Sequence, residues 1–149
     1  MTEDIIESNK IKKRILNGLR GKGYKLTPQR RELIDIISGD RSHPTAQSIY
    51  QRAKRKIPRI SMSTVYYTLN TLKKEGLIKE LEFYQMDNRY ESNIEDHLDL
   101  ICLRCGKIQD FHSGFPVPAK SVEKKTGFRA HNMRFEYYGY CNKCKGKKH

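Results

Sequence analysis

Two cysteine pairs, Cys102-x2-Cys105 and Cys141-x2-Cys144, stand 35 residues apart in a chain of 149. Four thiolates presented by two such knuckles suit tetrahedral Zn(II). In "CLRCGK" and "CNKCKG" a glycine or a basic residue follows each knuckle, which helps the tight turn and the charge. The separation exceeds that of a minimal zinc ribbon, so a small subdomain must close between the pairs. Within it "KIQDF" reads as a strand, "PAKSVEKKTG" as a short helix and "FRAHNMRFEYYGY" as a long strand. In a reducing compartment the competing reading of CxxC is a redox dithiol. Two pairs with no thioredoxin-like pattern around either favour zinc. Cys102, Cys105, Cys141 and Cys144 are the candidate structural-zinc ligands. Only 36% of residues are hydrophobic, and a modest core gains from a metal staple.

The charge is concentrated elsewhere. Residues 10–59 hold 15 Lys/Arg against 3 Asp/Glu, almost the whole of the net +13. Such a stretch calls for a polyanionic partner, most often nucleic acid. No apolar run approaches the ~20 residues of a membrane span. No signal-peptide pattern opens the sequence, so a cytoplasmic protein is expected, and there cysteines are metal ligands more often than disulfides.

The basic half reads as a helical DNA-binding domain. Ile5, Ile11, Ile15 and Leu19 recur at helical spacing over residues 4–22. In "LTPQRRELIDIIS" Thr27 is a good N-cap, Pro28 suits the first helical position, and Leu33, Ile34 and Ile37 form a stripe. "HPTAQSIYQRAKRKI" repeats the device with Thr45. "ISMSTVYYTLNTLKKEGLI" gives a fourth helix, capped by Ser61 or Ser63 and stopped at Gly76. "LIKELEF" and "NRYES" alternate and could pair as a hairpin. Helices followed by a hairpin describe a winged helix, whose last helix enters the major groove by its N-terminal residues. Ser63, Thr64, Tyr66 and Tyr67 lie there. Adjacent tyrosines point about 100° apart on a helix, so both cannot easily be buried.

A second constellation borders the cysteines. His97 and Asp99 are spaced to share one face of a strand, and Asp110 follows the first knuckle. These donors suit a harder ion such as Fe(II) or Mn(II). Glu91 falls in an expected hinge, and His43 in the basic half. If all five meet, one metal ties two domains together.

"HPTAQSIY", "ISMSTVYYTLNTLKKEGLI", "HLDLICLRCGKIQDF" and "YGYCNKC" resemble, in order and over about residues 20–145, the ferric uptake regulator (Fur) family. Asp110, where iron-sensing members usually carry Glu, makes the peroxide-responsive repressor (PerR) branch the nearest. The resemblance implies a dimeric repressor of palindromic operators. Its regulatory Fe(II) or Mn(II) would sit on His43, Glu91, His97, Asp99 and Asp110. Tyr66 would contact bases and Lys25 would reach the minor groove. Peroxide would act through Fe(II)-mediated oxidation of His43 or His97, in single-use sensing rather than enzymic turnover. Three positions depart from the pattern. Asp99 stands where a second His is usual, Glu91 where peroxide sensors carry Asp, and Tyr67 where relatives often carry Arg or Asn. The extra metal site of some members lacks its His in register, and His112 and His149 read as surface histidines.

The expectation is an α+β chain. A winged-helix DNA-binding domain spans 1–83, a hinge 84–92, and a small α/β dimerisation domain with structural zinc 93–149. The alternatives are an iron- or manganese-responsive repressor without peroxide chemistry, and a zinc-stabilised DNA-binding adaptor with no regulatory metal. A zinc-uptake sensor is disfavoured, because Asp99 makes the second site poorer in nitrogen.

Overall fold

The computed structural model describes residues 2–112 and 117–147; His149 lies outside them. The chain is α+β and divides into two compact units, Met1–Ile94 and Glu95–His149.

The first unit runs α1 (Glu3–Gly21), α2 (Pro28–Gly39), α3 (Ala46–Lys56), α4 (Met62–Lys74), β1 (Lys79–Leu81) and β2 (Arg89–Glu91). Three helices start where a hydroxyl can satisfy an orphan amide. Thr27 accepts from the Arg30 N–H, Thr45 from Ser48 and Ser61 from Thr64. Each cap contributes about 1 kcal/mol. Ser61 caps α4, and Ser63 is the second residue of the helix, within its first turn. The apolar stripes converge on one core in which Ile15, Leu19, Leu33, Ile37, Leu69 and Leu72 are fully buried. β1 and β2 pair antiparallel, with Glu80 opposite Tyr90. Residues 89–91 of the expected hinge are thus a strand of this unit, and Tyr90 belongs to its core.

The second unit contains β3 (Leu98–Cys102), β4 (Ile108–Phe111), α5 (Ala119–Thr126) and β5 (Glu136–Gly139). The sheet order is β4-β3-β5, antiparallel between β3 and β4 and parallel between β3 and β5. The long strand expected across residues 128–140 is only Glu136–Gly139. Gly127, at φ 74°, turns the chain out of α5, and β3 offers β5 partners only over Asp99–Cys102. The ladder begins at the Phe135 carbonyl, which accepts from the Asp99 N–H at 3.0 Å, and residues 128–134 lie outside it. The core is small: Leu98, Ile101, Cys102, Ile108 and Cys144 are buried, while α5 buries nothing. Phe111, Phe128, Tyr137, Tyr138 and Tyr140 are exposed on this unit. No helix among the described residues is long and apolar enough to cross a membrane.

Candidate functional site

The four cysteines all belong to the second unit. Cys102 ends β3, and the chain turns at Gly106, whose φ of 75° suits a residue without Cβ. The Gly106 N–H donates to the Cys102 carbonyl at 3.0 Å. A matching turn joins the Cys144 N–H to the Cys141 carbonyl at 2.9 Å. Together they bring four sulfurs within 4.8 Å of one another, with Cys105 and Cys141 Sγ 3.8 Å apart. A sulfur tetrahedron with metal bonds of about 2.3 Å has edges of about 3.8 Å. A disulfide would need about 2.0 Å, and all four cysteines are free. Hydrogen bonds from the Cys105 and Cys141 backbone hold Cys102 down at about 6, whereas burial pushes the Cys144 thiol up to about 12. A central divalent cation would let all four ionise together. The donor set and spacing fit Zn(II).

The five oxygen and nitrogen candidates form two sets, one in each unit. In the first unit His43 Nε2 lies 2.9 Å from Glu91 Oε2, and both residues are buried. Among the described residues His43 is the one non-glycine with positive φ, at 59°. Such a conformation costs about 1–3 kcal/mol and persists only where the surroundings fix it. Here β2 does so. Arg89 Nη1 donates to the His43 carbonyl at 3.0 Å, and the Tyr90 N–H to the Pro44 carbonyl at 2.9 Å. On the other flank Asp40 accepts from the Ser42 N–H at 2.8 Å and from Arg52 Nη1 at 2.5 Å. Burial opposes the Asp40 charge, yet the Ser42 and Arg52 bonds hold its carboxyl below the usual range. The sequence reading missed Arg89, because it acts on His43 across 46 residues of chain. If His43 ligates, Arg89→Leu should weaken Mn(II) binding about tenfold, as loss of a ligand's outer partner does. Isothermal titration with Mn(II) measures this.

In the second unit Asp99 and Asp110 are direct cross-strand partners. His97 precedes Asp99 by two residues, so it shares that face. His97 Nε2 is 3.1 Å from Asp99 Oδ1 and 3.5 Å from Asp110 Oδ1. Its Nδ1 is 2.6 Å from the Glu95 carbonyl oxygen, which can only accept. Nδ1 is therefore the donor, and that fixes the ring. Nε2 then faces two carboxylates and needs a cation between: its own proton or a metal ion. On the far side of β3, Glu136 is the partner of Asp99, and Arg134 Nη2 holds its carboxylate at 2.6 Å. Asp99 thus sits in a cross-strand row of three carboxylates, where like charges repel unless a cation joins them. These donors fit a hard divalent ion. His112 is exposed beside them, its ring centroid 5.8 Å from that of His97.

The ferric uptake regulator family model matches residues 21–138. The chain belongs to the ferric uptake regulator family. It is 36% identical over 136 residues to the peroxide operon regulator of Bacillus subtilis, covering 91% of this chain and 94% of that one. It is 38% identical over 128 residues to the peroxide-responsive repressor PerR of Staphylococcus epidermidis, covering 85% of each. The Helicobacter pylori ferric uptake regulator, whose structure is described as revealing three functional metal binding sites, superposes with a TM-score of 0.73 at 28% identity. That match covers 95% of this chain and 96% of the other.

In this Fur-family chain the DNA-facing candidates all lie in the first unit. Lys25, Ser63, Tyr66 and Tyr67 are exposed. The two tyrosines are 47% and 62% exposed, so neither is a core residue. Thr64 is half-buried, and its hydroxyl meets Ser61 Oγ at 3.0 Å. Thr64 is thereby tied to the cap of α4.

Proposed function

We propose that this chain is a metal-dependent transcriptional repressor that binds palindromic operator DNA as a homodimer and senses peroxide by oxidation of a ligand histidine. The observation that carries this reading is His97: ring fixed by Glu95, Nε2 turned toward Asp99 and Asp110. In this reading the structural zinc is held by Cys102, Cys105, Cys141 and Cys144. The regulatory metal is held by His43, Glu91, His97, Asp99 and Asp110. Ligands drawn from both units make metal binding favour one arrangement of the dimer, through its differential affinity for that state. Bound Fe(II) would supply one electron to split the O–O bond of H2O2, and a neighbouring ligand imidazole would supply the remaining electrons as it gains an oxygen atom, the second oxygen leaving as water. His43 and His97 are the imidazoles within reach, and oxidation of either removes a ligand and lifts repression. Each site reacts once, so this is sensing and not enzymic turnover.

The first unit acts as the winged helix, with α4 in the major groove and β1–β2 as the wing. The exposed aromatic residues of the second unit, Tyr137, Tyr138 and Tyr140 among them, support a face covered by the second copy.

DNA binding by the full-length protein under anaerobic Fe(II), Mn(II) and Zn(II), followed by H2O2, tests the reading. Mass spectrometry of the peptides bearing His43 and His97 completes it. Expected are tight binding with Fe(II) or Mn(II), loss of binding on peroxide with Fe(II) alone, and an added oxygen on one histidine. Metal-dependent binding without oxidation would leave an iron- or manganese-responsive repressor lacking peroxide chemistry. Binding indifferent to all three metals would leave the zinc-stabilised adaptor.

Two substitutions separate base reading from phosphate contact. Tyr66→Ala should cost about 1–3 kcal/mol of discrimination between operator and random duplex. Lys25→Ala should weaken both and reduce the salt slope by about 1. Equal loss on the two duplexes for Tyr66→Ala removes it from the base readers.

A further inference from the structure

Arg30 sits in the first turn of α2. A cation is disfavoured there, because unsatisfied amides place positive potential at a helix N-terminus. Its guanidinium is nonetheless gripped on several sides. It lies 5.5 Å from the Tyr24 ring centroid and 5.8 Å from the Tyr67 ring centroid, both within cation–π range. Nη1 donates to the Lys25 carbonyl at 2.7 Å. Tyr24 is itself anchored, since its hydroxyl donates to Glu75 Oε1 at 2.8 Å, and Glu75 is the C-cap residue of α4. Tyr67 has no comparable anchor among the contacts that define this cluster. It projects from α4 with 62% of its surface exposed. Beside this cluster runs a groove of about 420 Å³, lined also by Lys25, Thr27, Gln29, Thr64 and Thr68.

We infer that Arg30 is a positioning residue for sequence recognition: it fixes the ring of Tyr67, and the backbone of Lys25, in the orientation presented to DNA. The inference rests on the DNA-binding reading above. An exposed tyrosine on a helix surface otherwise samples several rotamers, and immobilising it on binding costs free energy. A ring already held by a cation–π contact with Arg30 arrives more ordered, so a good base contact keeps more of its advantage over a poor one. The planar guanidinium is what the role requires. A lysine at this position keeps the charge but lacks the planar fork that reaches both rings and the Lys25 carbonyl together.

The test uses full-length protein with Mn(II). A consensus is selected from a random duplex library, and competition against single-base variants follows. Arg30→Leu, Arg30→Lys, Tyr67→Leu and the double variant Arg30→Leu/Tyr67→Leu are compared. Arg30→Leu and Tyr67→Leu should relax preference at the same base positions by about twofold to fivefold, the scale of one exposed cation–π contact. The double variant should relax it no further, because two residues that act as one unit are not additive. Arg30→Lys should lose discrimination like Arg30→Leu while keeping the wild-type salt slope. The inference is overturned if Arg30→Leu weakens all sequences equally, lowers the salt slope by about 1 and is rescued by Arg30→Lys, as a phosphate contact would be. Additive losses in the double variant also overturn it. If the wild-type protein selects no consensus, the DNA-binding reading fails and takes this inference with it.

Discussion

Cys141→Ser should release one zinc per chain, convert the dimer to monomer and unfold the Glu95–His149 unit, while the helices of Met1–Ile94 survive. The asymmetry follows from where the apolar surface is buried. The first unit has a continuous core of fully buried aliphatic side chains drawn from four helices. Among the described residues of the second unit Leu98, Ile101 and Ile108 are the buried aliphatics, and each contributes about 1.5–3 kcal/mol. A tetrathiolate zinc site contributes about 10–16 kcal/mol, all of it coupled to folding. Losing one thiolate therefore removes the largest stabilising term that this unit has. The position makes it worse, since Cys141 lies two residues beyond the end of β5, and its N–H donates to Cys102 Sγ at 3.3 Å across the cluster. Metal analysis, analytical ultracentrifugation and far-ultraviolet circular dichroism read the three effects. Full zinc content with an intact dimer would overturn the assignment of Cys141 as a ligand.

Local chemistry carried the first unit from sequence to structure. Thr27, Thr45 and Ser61 are capping residues by type and by position, and the helices begin after them. The isoleucine and leucine stripes are buried as their spacing requires, except at Ile5, which is exposed because it lies at the start of α1, ahead of the part that packs on the core. The cysteine knuckles likewise announced a four-sulfur cluster, because CxxC is a local turn. Features that depend on distant partners did not show. β5 is short because β3 is short, and no residue of "FRAHNMRF" reports that. The alternation in "LIKELEF" and "NRYES" did point to the β1–β2 pair, but not to the burial of Tyr90 in a core built mainly from helices, which ties a segment also expected as a hinge to the first unit. The strained backbone of His43 is held by Arg89, and Tyr67 meets Arg30 across two helices. Neither contact has a periodicity from which it could have been read.

Asp99 carries the second large effect. If Asp99 is a ligand, its replacement by Ala should reduce Mn(II) affinity about 100-fold or more, beyond the loss of an outer partner. Its surroundings set the sign of each further consequence. Asp110 faces it across the β3–β4 ladder and Glu136 across the β3–β5 ladder. One more carboxylate beside the ion favours hard Fe(II) and Mn(II) over softer ions, and stabilises Fe(III) relative to Fe(II). Asp99→His removes that negative charge and adds a nitrogen donor. It should tighten Zn(II), reduce the preference for Mn(II) and leave the dimer intact, since the four sulfurs are untouched. Metal binding should also release protons from any ligand imidazole that is protonated without metal, because ligation requires the neutral ring. Mn(II) affinity should then rise with pH in the wild-type protein. Calorimetry in buffers of different ionisation enthalpy counts the protons, and competition titrations rank the metals. Unchanged Mn(II) and Fe(II) affinity in Asp99→Ala, with unchanged DNA binding, would remove Asp99 from the ligand set. The sensor reading would then rest on His43, Glu91, His97 and Asp110.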